Sequence, residues 1–336
     1  MVSLGYPPRV ELATRPTPLQ YLERASQRWG RGHRLWVKRD DLTGCLLSGN
    51  KVRKLEFIVA HALEQGCDTL ITCGGLQSNH CRATAFAGAQ MGLAVHLLLR
   101  GEQPAGSEGN YLLDQLAGAT INCYPKRQYV AELPALFEHW QAHYRAAGRK
   151  ALVIPTGGSD GLGIWGYIAA CDELADDLAG ADIASAQLVT ATGSGGTQAG
   201  LTVGVALQQL PLTVWGINVC DDEQYFLDKV AADVADWQAR YPDMPALDYE
   251  PRIIDGYVGS GYGIAAPEVF SLIAELAALE GLLLDPVYTG KAFFGMVREI
   301  AAGRFGDCRD IVFLHTGGAF GVFPQARGFD LPGKVQ

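Results

Sequence analysis

The chain has 336 residues, of which 48% are hydrophobic and 41 are glycine, with no collagen-like period, linker tract or long repeat. Disordered, fibrous and solenoid architectures are excluded, and the length suggests about two domains. Lys plus Arg number 27 against 36 Asp plus Glu, a formal charge of −9, so no net positive field draws the chain to nucleic acid or an anionic membrane.

An anionic small substrate therefore needs a locally positive site. The eight cysteines show no C-x-x-C pair or zinc spacing, and the N-terminus has no apolar signal core, which fits reduced thiols in a cytoplasmic protein.

In chain order, the first informative segment is Ser48-Gly-Asn-Lys-Val-Arg-Lys-Leu-Glu56. Val52, Leu55, Ile58, Val59, Ala62 and Leu63 form a helical apolar stripe, which puts Lys51 in the first turn. The helix dipole is positive there, and Arg53 and Lys54 add positive charge, so an ordinary surface ammonium at Lys51 is destabilised. An anion site, or a lysine of depressed pKa suited to amine chemistry, accounts for the placement; a frayed, exposed helix start is the bland alternative.

Apolar runs at Thr69 to Cys73, Val95 to Leu99, Leu152 to Ile154, Leu188 to Ala191, Val214 to Val219 and Ile311 to Leu314 predict strands. Helical patterns alternate with them, which predicts an α/β fold of parallel sheets covered on both faces, with ligands at the carboxyl ends of strands. Gly74-Gly-Leu-Gln-Ser-Asn-His80 follows one strand and opens a helix over Cys81 to Met91. Ser78, Asn79 and His80 there are N-cap donors more numerous than capping needs, and free amides at that end suit a carboxylate. Thr192-Gly-Ser-Gly-Gly-Thr197 follows another strand and precedes a helix over Gln198 to Leu210. Its backbone amides and hydroxyls suit one phosphate monoester, with a tight strand-helix turn as the alternative.

Other motifs are set aside on spacing. Gly161-Leu-Gly-Ile-Trp-Gly166 matches G-x-G-x-x-G but lies six residues beyond its strand. His139 and His143 lack the zincin glutamate and a third ligand, so they read as a solvated helix face. Ile183 to Cys220 carries no charge but is too broken by polar residues to span a membrane. Gly328 to Lys334 imitates a Walker A loop without its Ser/Thr or a following helix.

An imine-forming lysine, a phosphate cradle and a carboxylate cradle are the three requirements of pyridoxal phosphate acting on an amino acid. Here the sequence resembles the fold-type-II pyridoxal-phosphate enzymes, in the group of aminocyclopropane-carboxylate deaminase and D-cysteine desulfhydrase. The resemblance is carried by Lys38-Arg-Asp-Asp-Leu-Thr-Gly44, Gly49-Asn-Lys-Val-Arg-Lys-Leu-Glu56, Gly74 to His80, Asp285-Pro-Val-Tyr-Thr-Gly-Lys291 and His315-Thr-Gly-Gly318, nearly the whole chain in the family's order.

The resemblance implies two open, twisted, mainly parallel sheets flanked by helices, as in the tryptophan-synthase β-like fold. It divides the chain into a large cofactor domain, 1–47 and 158–336, and a small inserted domain, 48–157, in a homodimer without a metal. It implies a Schiff base at Lys51 and Asn79 on the cofactor's 3′-oxygen. The phosphate falls on Thr192, Gly193, Ser194, Gly195, Gly196 and Thr197 with Lys54, and Tyr288 stacks on the ring. Thr289 and Thr316 lie beside the cofactor; Ser78, Asn79, His80 and Tyr262 face the substrate, with Lys51, Ser78, Tyr262 and Tyr288 in catalysis. The deaminase pattern has Glu, Leu and Gln where this chain has Thr289, Thr316 and His80, which points to α,β-elimination from D-cysteine. Cysteate sulfo-lyase or deaminase activity, and a non-catalytic carrier, are the alternatives.

Overall fold

Residues 5–330 are described by a computed structural model. The first four residues, and Leu331 to Lys334 of the Walker-like run, lie outside them. Two mainly parallel sheets form the frame. The larger has the order β1 (Leu19–Tyr21), β2 (Arg34–Lys38), β10 (Asp310–Leu314), β7 (Ala186–Thr192), β8 (Leu212–Asn218), β9 (Arg252–Ile254), and only β1 on β2 is antiparallel. The smaller has the parallel order β5 (Thr120–Tyr124), β4 (Ala94–Arg100), β3 (Thr69–Gly75), β6 (Ala151–Val153).

Each apolar run predicted as a strand is one. Strands β1, β2, β5 and β9 have no counterpart in the sequence reading, because they are short or carry polar residues at positions that a buried parallel strand fills with Val, Ile and Leu. Two helices begin earlier than predicted. Helix α3 (Asn79–Gln90) starts directly after Ser78, whose hydroxyl accepts the Cys81 N–H and caps it, and α7 (Gly196–Gln208) starts within the glycine run. The uncharged stretch from 183 to 220 is the buried unit β7, α7, β8, and no helix among the described residues is long and apolar enough to cross a membrane.

Helix α2 (Asn50–Glu64) is held against α6 (Trp165–Gly180) in a core that includes the fully buried Trp165, Leu55 and Val52. The G-x-G-x-x-G run serves this packing. A Cβ on Gly166 falls 2.5 Å from the Arg53 backbone, and one on Gly161 falls 2.4 Å from the Trp237 nitrogen. His139 and His143 are exposed on α5 (Lys126–Ala146), and no metal-binding cluster occurs among the described residues.

Arg53 departs from its expected role. Its guanidinium turns away from Lys51, donating to both Asp40 oxygens at 2.8 Å and to Glu173 at 2.8 and 2.9 Å; Tyr167 donates to Asp40 at 2.6 Å. Burial raises the Asp40 and Glu173 carboxyls, but the charge and hydrogen bonds of Arg53 outweigh it and hold both below the usual range. The cluster ties α2 to α6 and to the segment after β2. Arg53→Met leaves Asp40 buried without its cation and is expected to cost roughly 3–5 kcal/mol in urea unfolding at neutral pH. Because the native pKa values are depressed, the difference from wild type is present above about pH 4 and shrinks as pH falls and the carboxylates protonate.

Candidate active site

The carboxyl ends of β3, β4 and β7 and the N-termini of α2, α3 and α7 open onto one cavity. Lys51, Ser78, Asn79, His80, Tyr262, Tyr288 and Thr316 line it, as do Thr192, Gly193, Ser194, Gly195 and Thr197. Lys54, Gly196 and Thr289 stand behind this lining.

Lys51 is aimed by the start of α2. Gly49, the residue before that helix, has φ 105°, and a Cβ there falls 2.6 Å from the Thr316 carbonyl, so only glycine brings the helix start against the 315–318 loop. The Lys51 ammonium donates to Asn50 Oδ1 at 3.0 Å. Burial depresses its pKa to about 8; Asp285 opposes this, and the nearby cation that adds to it is Arg82 rather than Arg53.

Behind the 192–197 loop, Lys54 donates to the Gly157 carbonyl at 3.2 Å and to Ser159 Oγ at 3.1 Å. Ser159 in turn bonds Ser194 Oγ and receives the Gly196 N–H. Burial, then repulsion from Lys51, pushes the Lys54 ammonium well below its ordinary value. A Cβ on Gly196 falls 2.6 Å from Ser159 Oγ and 2.8 Å from Lys54 Nζ, so the ammonium reaches the backbone at the α7 N-terminus. Among the described residues, the N–H groups of Ser194, Gly195 and Thr197 have no acceptor and Thr192 Oγ1 has no partner. A buried ammonium at Lys54 and a half-buried one at Lys51, neither with a bonded carboxylate, and amides without acceptors fit the phosphate of pyridoxal phosphate.

Opposite, the N–H groups of Asn79 and His80 at the start of α3 have no acceptor among the described residues. Asn110 Nδ2, on α4 (Gly109–Leu116), donates to Asn79 Oδ1 at 3.0 Å, which leaves the Asn79 amide nitrogen as the group presented to the cavity. Thr72 Oγ1 donates to the Ile154 carbonyl, so His80 Nε2 donates to Thr72 Oγ1 at 2.8 Å and His80 Nδ1 is a bare buried acceptor. Burial, then Lys51 and Lys54, keeps this imidazole neutral.

Tyr262 and Tyr288 share a hydrogen bond of 2.6 Å between their hydroxyls, and the Tyr288 ring lies 3.0 Å from a Cβ built on Gly193. Burial, then the proximity of Tyr262, raises the Tyr288 phenol well above its usual value. Thr289, expected beside the cofactor, instead donates to Asp285 Oδ1 at 2.6 Å and accepts the Asp285 N–H at 2.8 Å. It is fully buried and does not reach the cavity; its hydroxyl belongs to the turn that starts α10 (Thr289–Ala301). The Asp285 carboxylate also accepts the N–H groups of Val287, Tyr288 and Thr289.

Asn110, Ser159, Arg82 and Arg100 were not read from the sequence. Arg82 donates to the Leu46 and Ser48 carbonyls and so ties α3 to the approach of Lys51. None of the four sits in a recognisable motif, and each acts through a partner distant in sequence.

Residues 10–317 match the family described as pyridoxal-phosphate dependent enzyme. The chain is 39% identical, over 94% of its length and 79% of the relative's, to the bifunctional D-cysteine desulfhydrase/1-aminocyclopropane-1-carboxylate deaminase, mitochondrial, of Arabidopsis thaliana. It is 40% identical, over 94% of its length and 95% of the relative's, to a D-cysteine desulfhydrase of Klebsiella pneumoniae. The crystal structure of an ACC deaminase homologue superposes with a TM-score of 0.87 at 36% identity, covering 95% of this chain and 94% of that one.

Anion binding is expected to raise the depressed ammonium pKa values and so draw in protons. Calorimetry of inorganic phosphate binding to the cofactor-free protein at neutral pH, in buffers of different ionisation enthalpy, checks this as a net proton uptake. Lys54→Met is expected to weaken that binding by about tenfold or more.

Proposed function

The chain belongs to the pyridoxal-phosphate dependent enzyme family, and from that premise we propose a carbon-sulfur lyase that acts by α,β-elimination, with D-cysteine giving pyruvate, ammonia and hydrogen sulfide. The observation that carries the reading is Lys51, an amine whose pKa burial depresses to about 8, in one cavity with the N-termini of α7 and α3, which suit a phosphate and a carboxylate. Lys51, Lys54, Asn79, the Thr192 to Thr197 loop and Tyr288 would hold the cofactor, with Thr316 alongside. When bound it supplies an aldehyde for the amine and an electron sink for the α-carbon.

The rest is the work of this chain's side chains. The α3 amides and the Ser78 hydroxyl orient the substrate carboxylate, with His80 and Tyr262 completing that side. The neutral Lys51 amine removes the α-proton; Ser78 and Tyr288 are the alternatives on the other face. The Tyr262–Tyr288 pair, two phenols in one hydrogen bond, is able to pass a proton to the departing β-substituent. Elimination is favoured over cyclopropane opening because Thr289 stands where the deaminase pattern has glutamate, and its hydroxyl is bonded to Asp285 and brings no acid to the cavity. Ring opening remains the second reading, supported by the names of the relatives.

The proposal includes a large domain of 1–47 and 158–336 and a small one of 48–157, in keeping with the confinement of the four-stranded sheet to residues between 69 and 153. The proposal also includes a homodimer, implied by the family resemblance, and a cytoplasmic location, which the eight unpaired cysteines suit.

Purified protein given D-cysteine, L-cysteine, cysteate and aminocyclopropane carboxylate in parallel is expected to yield pyruvate fastest from D-cysteine. Absence of pyruvate from D-cysteine overturns the leading reading. Lys51→Ala is expected to abolish both turnover and the visible absorbance of the loaded protein. The rate of cofactor loading in wild type rises with pH through about 8, as the Lys51 ammonium gives up its proton. Ser78→Ala is expected to reduce kcat about 100-fold or more if its hydroxyl moves a proton, and to raise KM alone if it only binds carboxylate.

A further inference from the structure

One cation in the cavity has no task in the scheme above. Arg100 is the last residue of β4, paired in register with Gly75 of β3, and its guanidinium lies over the ring of Tyr262 at 4.9 Å and over that of Tyr129 at 5.9 Å. It lines the cavity, flanked by Cys73 and Cys220, which line it too. Among the described residues no hydrogen bond or ion pair engages it, although Arg34, Arg39, Arg53 and Arg304 all have carboxylate partners. Among the described residues, Asp221 at the cavity wall forms no ion pair with it.

A guanidinium fixed between aromatic faces presents a rigid fork of donors that matches a tetrahedral oxyanion or a carboxylate. The two anions demanded by the family chemistry already have places: the phosphate at the α7 N-terminus and the α-carboxylate at the α3 N-terminus. Arg100 is thus a third positive group, stacked beside Tyr262. Its hydrophobic and aromatic surround strengthens any charge interaction made there.

Resting on the proposed elimination activity, we propose that Arg100 is a specificity-determining residue that recognises an oxyanionic β-substituent on the amino-acid substrate, such as a sulfonate or a phosphate ester. With a sulfonate the chemistry balances without oxidant or reductant. The α-proton goes to the base, the Cβ–S bond breaks with its electron pair on sulfur, and cysteate plus water gives pyruvate, ammonium and hydrogensulfite. With a phosphate ester the Cβ–O bond breaks in the same way and inorganic phosphate leaves.

The test uses the cofactor-loaded enzyme and follows pyruvate from the D- and L-forms of cysteate and O-phosphoserine against D-cysteine, whose thiol is uncharged at neutral pH. The cysteate and phosphoserine arms separate the two oxyanion sources. Arg100→Gln is expected to raise KM for the oxyanionic substrate by about tenfold or more, with Arg100→Lys recovering part of the loss and D-cysteine far less affected. Methanesulfonate is expected to compete with D-cysteine in wild type and to lose its potency in Arg100→Gln. An unchanged visible absorbance shows that the variant is folded and loaded; should it fail to load, the wild-type competition by methanesulfonate decides. Equal losses on D-cysteine and the oxyanionic substrates would make Arg100 a ligand of the α-carboxylate and overturn the inference. So would wild-type turnover of D-cysteine with neither turnover of, nor inhibition by, the sulfonates and phosphate ester. Absence of pyruvate from every substrate overturns the elimination reading itself and is distinguished by that breadth.

Discussion

Three cations crowd the first turn of α2, and the helix sorts them by angle. At about 100° per residue, Lys51 and Lys54 share a face while Arg53 points away from it. Arg53 is neutralised by Asp40 and Glu173 in a buried cluster with Tyr167. Lys51 and Lys54 meet carbonyls, hydroxyls and an amide oxygen instead of carboxylates. One arginine therefore fixes the position of the helix, and the two lysines inherit that position with their charges uncompensated. Repulsion between them, a positive helix terminus and burial all favour losing a proton or gaining an anion, and the family's cofactor permits both.

The glycine content has the same origin in close approach. Gly49 allows the α2 start to reach the Thr316 carbonyl, and Gly196 leaves room for the Lys54 ammonium under the α7 terminus. Elsewhere the demand is packing rather than chemistry. Gly161 and Gly166 imitate a nucleotide motif because helices lie against them, which explains why a pattern of glycines alone discriminates poorly between a ligand loop and a tight core.

Much of this was legible in the sequence because parallel strands buried on both faces are near-continuous apolar runs, and ligand loops follow directly at their ends. Strands β3, β4, β7, β8 and β10 announce themselves in this way, and with them the loops at Gly74, Thr192 and Thr316. Strand β2, Arg-Leu-Trp-Val-Lys, does not, since its end charges are satisfied only by partners far along the chain, Asp310 and Asp177. The same reason hides Asn110, Ser159 and Arg100. Their roles are set by residues brought beside them by the sheets, as Arg100 is by Tyr262. Thr289 and Arg53 mark the opposite failure. Their place in the sequence is right beside the site, but each hydrogen-bonds away from it, Thr289 to Asp285 and Arg53 to Asp40.

A chain of charge −9 that handles anionic small molecules has to concentrate positive potential where backbone and a few buried cations converge. Two helix N-termini, α3 and α7, face the same cavity from different sheets, so the electrostatic asymmetry of the site comes from the topology of the fold as much as from side chains. Lys51 and Lys54 sit on the phosphate side of that arrangement. Arg100 comes from the end of β4 in the smaller sheet and meets Tyr262, from the segment that follows β9 of the larger one, so the setting of its fork depends on both parts of the chain. Because Arg100 stacks on Tyr262, whose hydroxyl is bonded to that of Tyr288, the proposed selectivity and the proton route of the elimination meet at one ring.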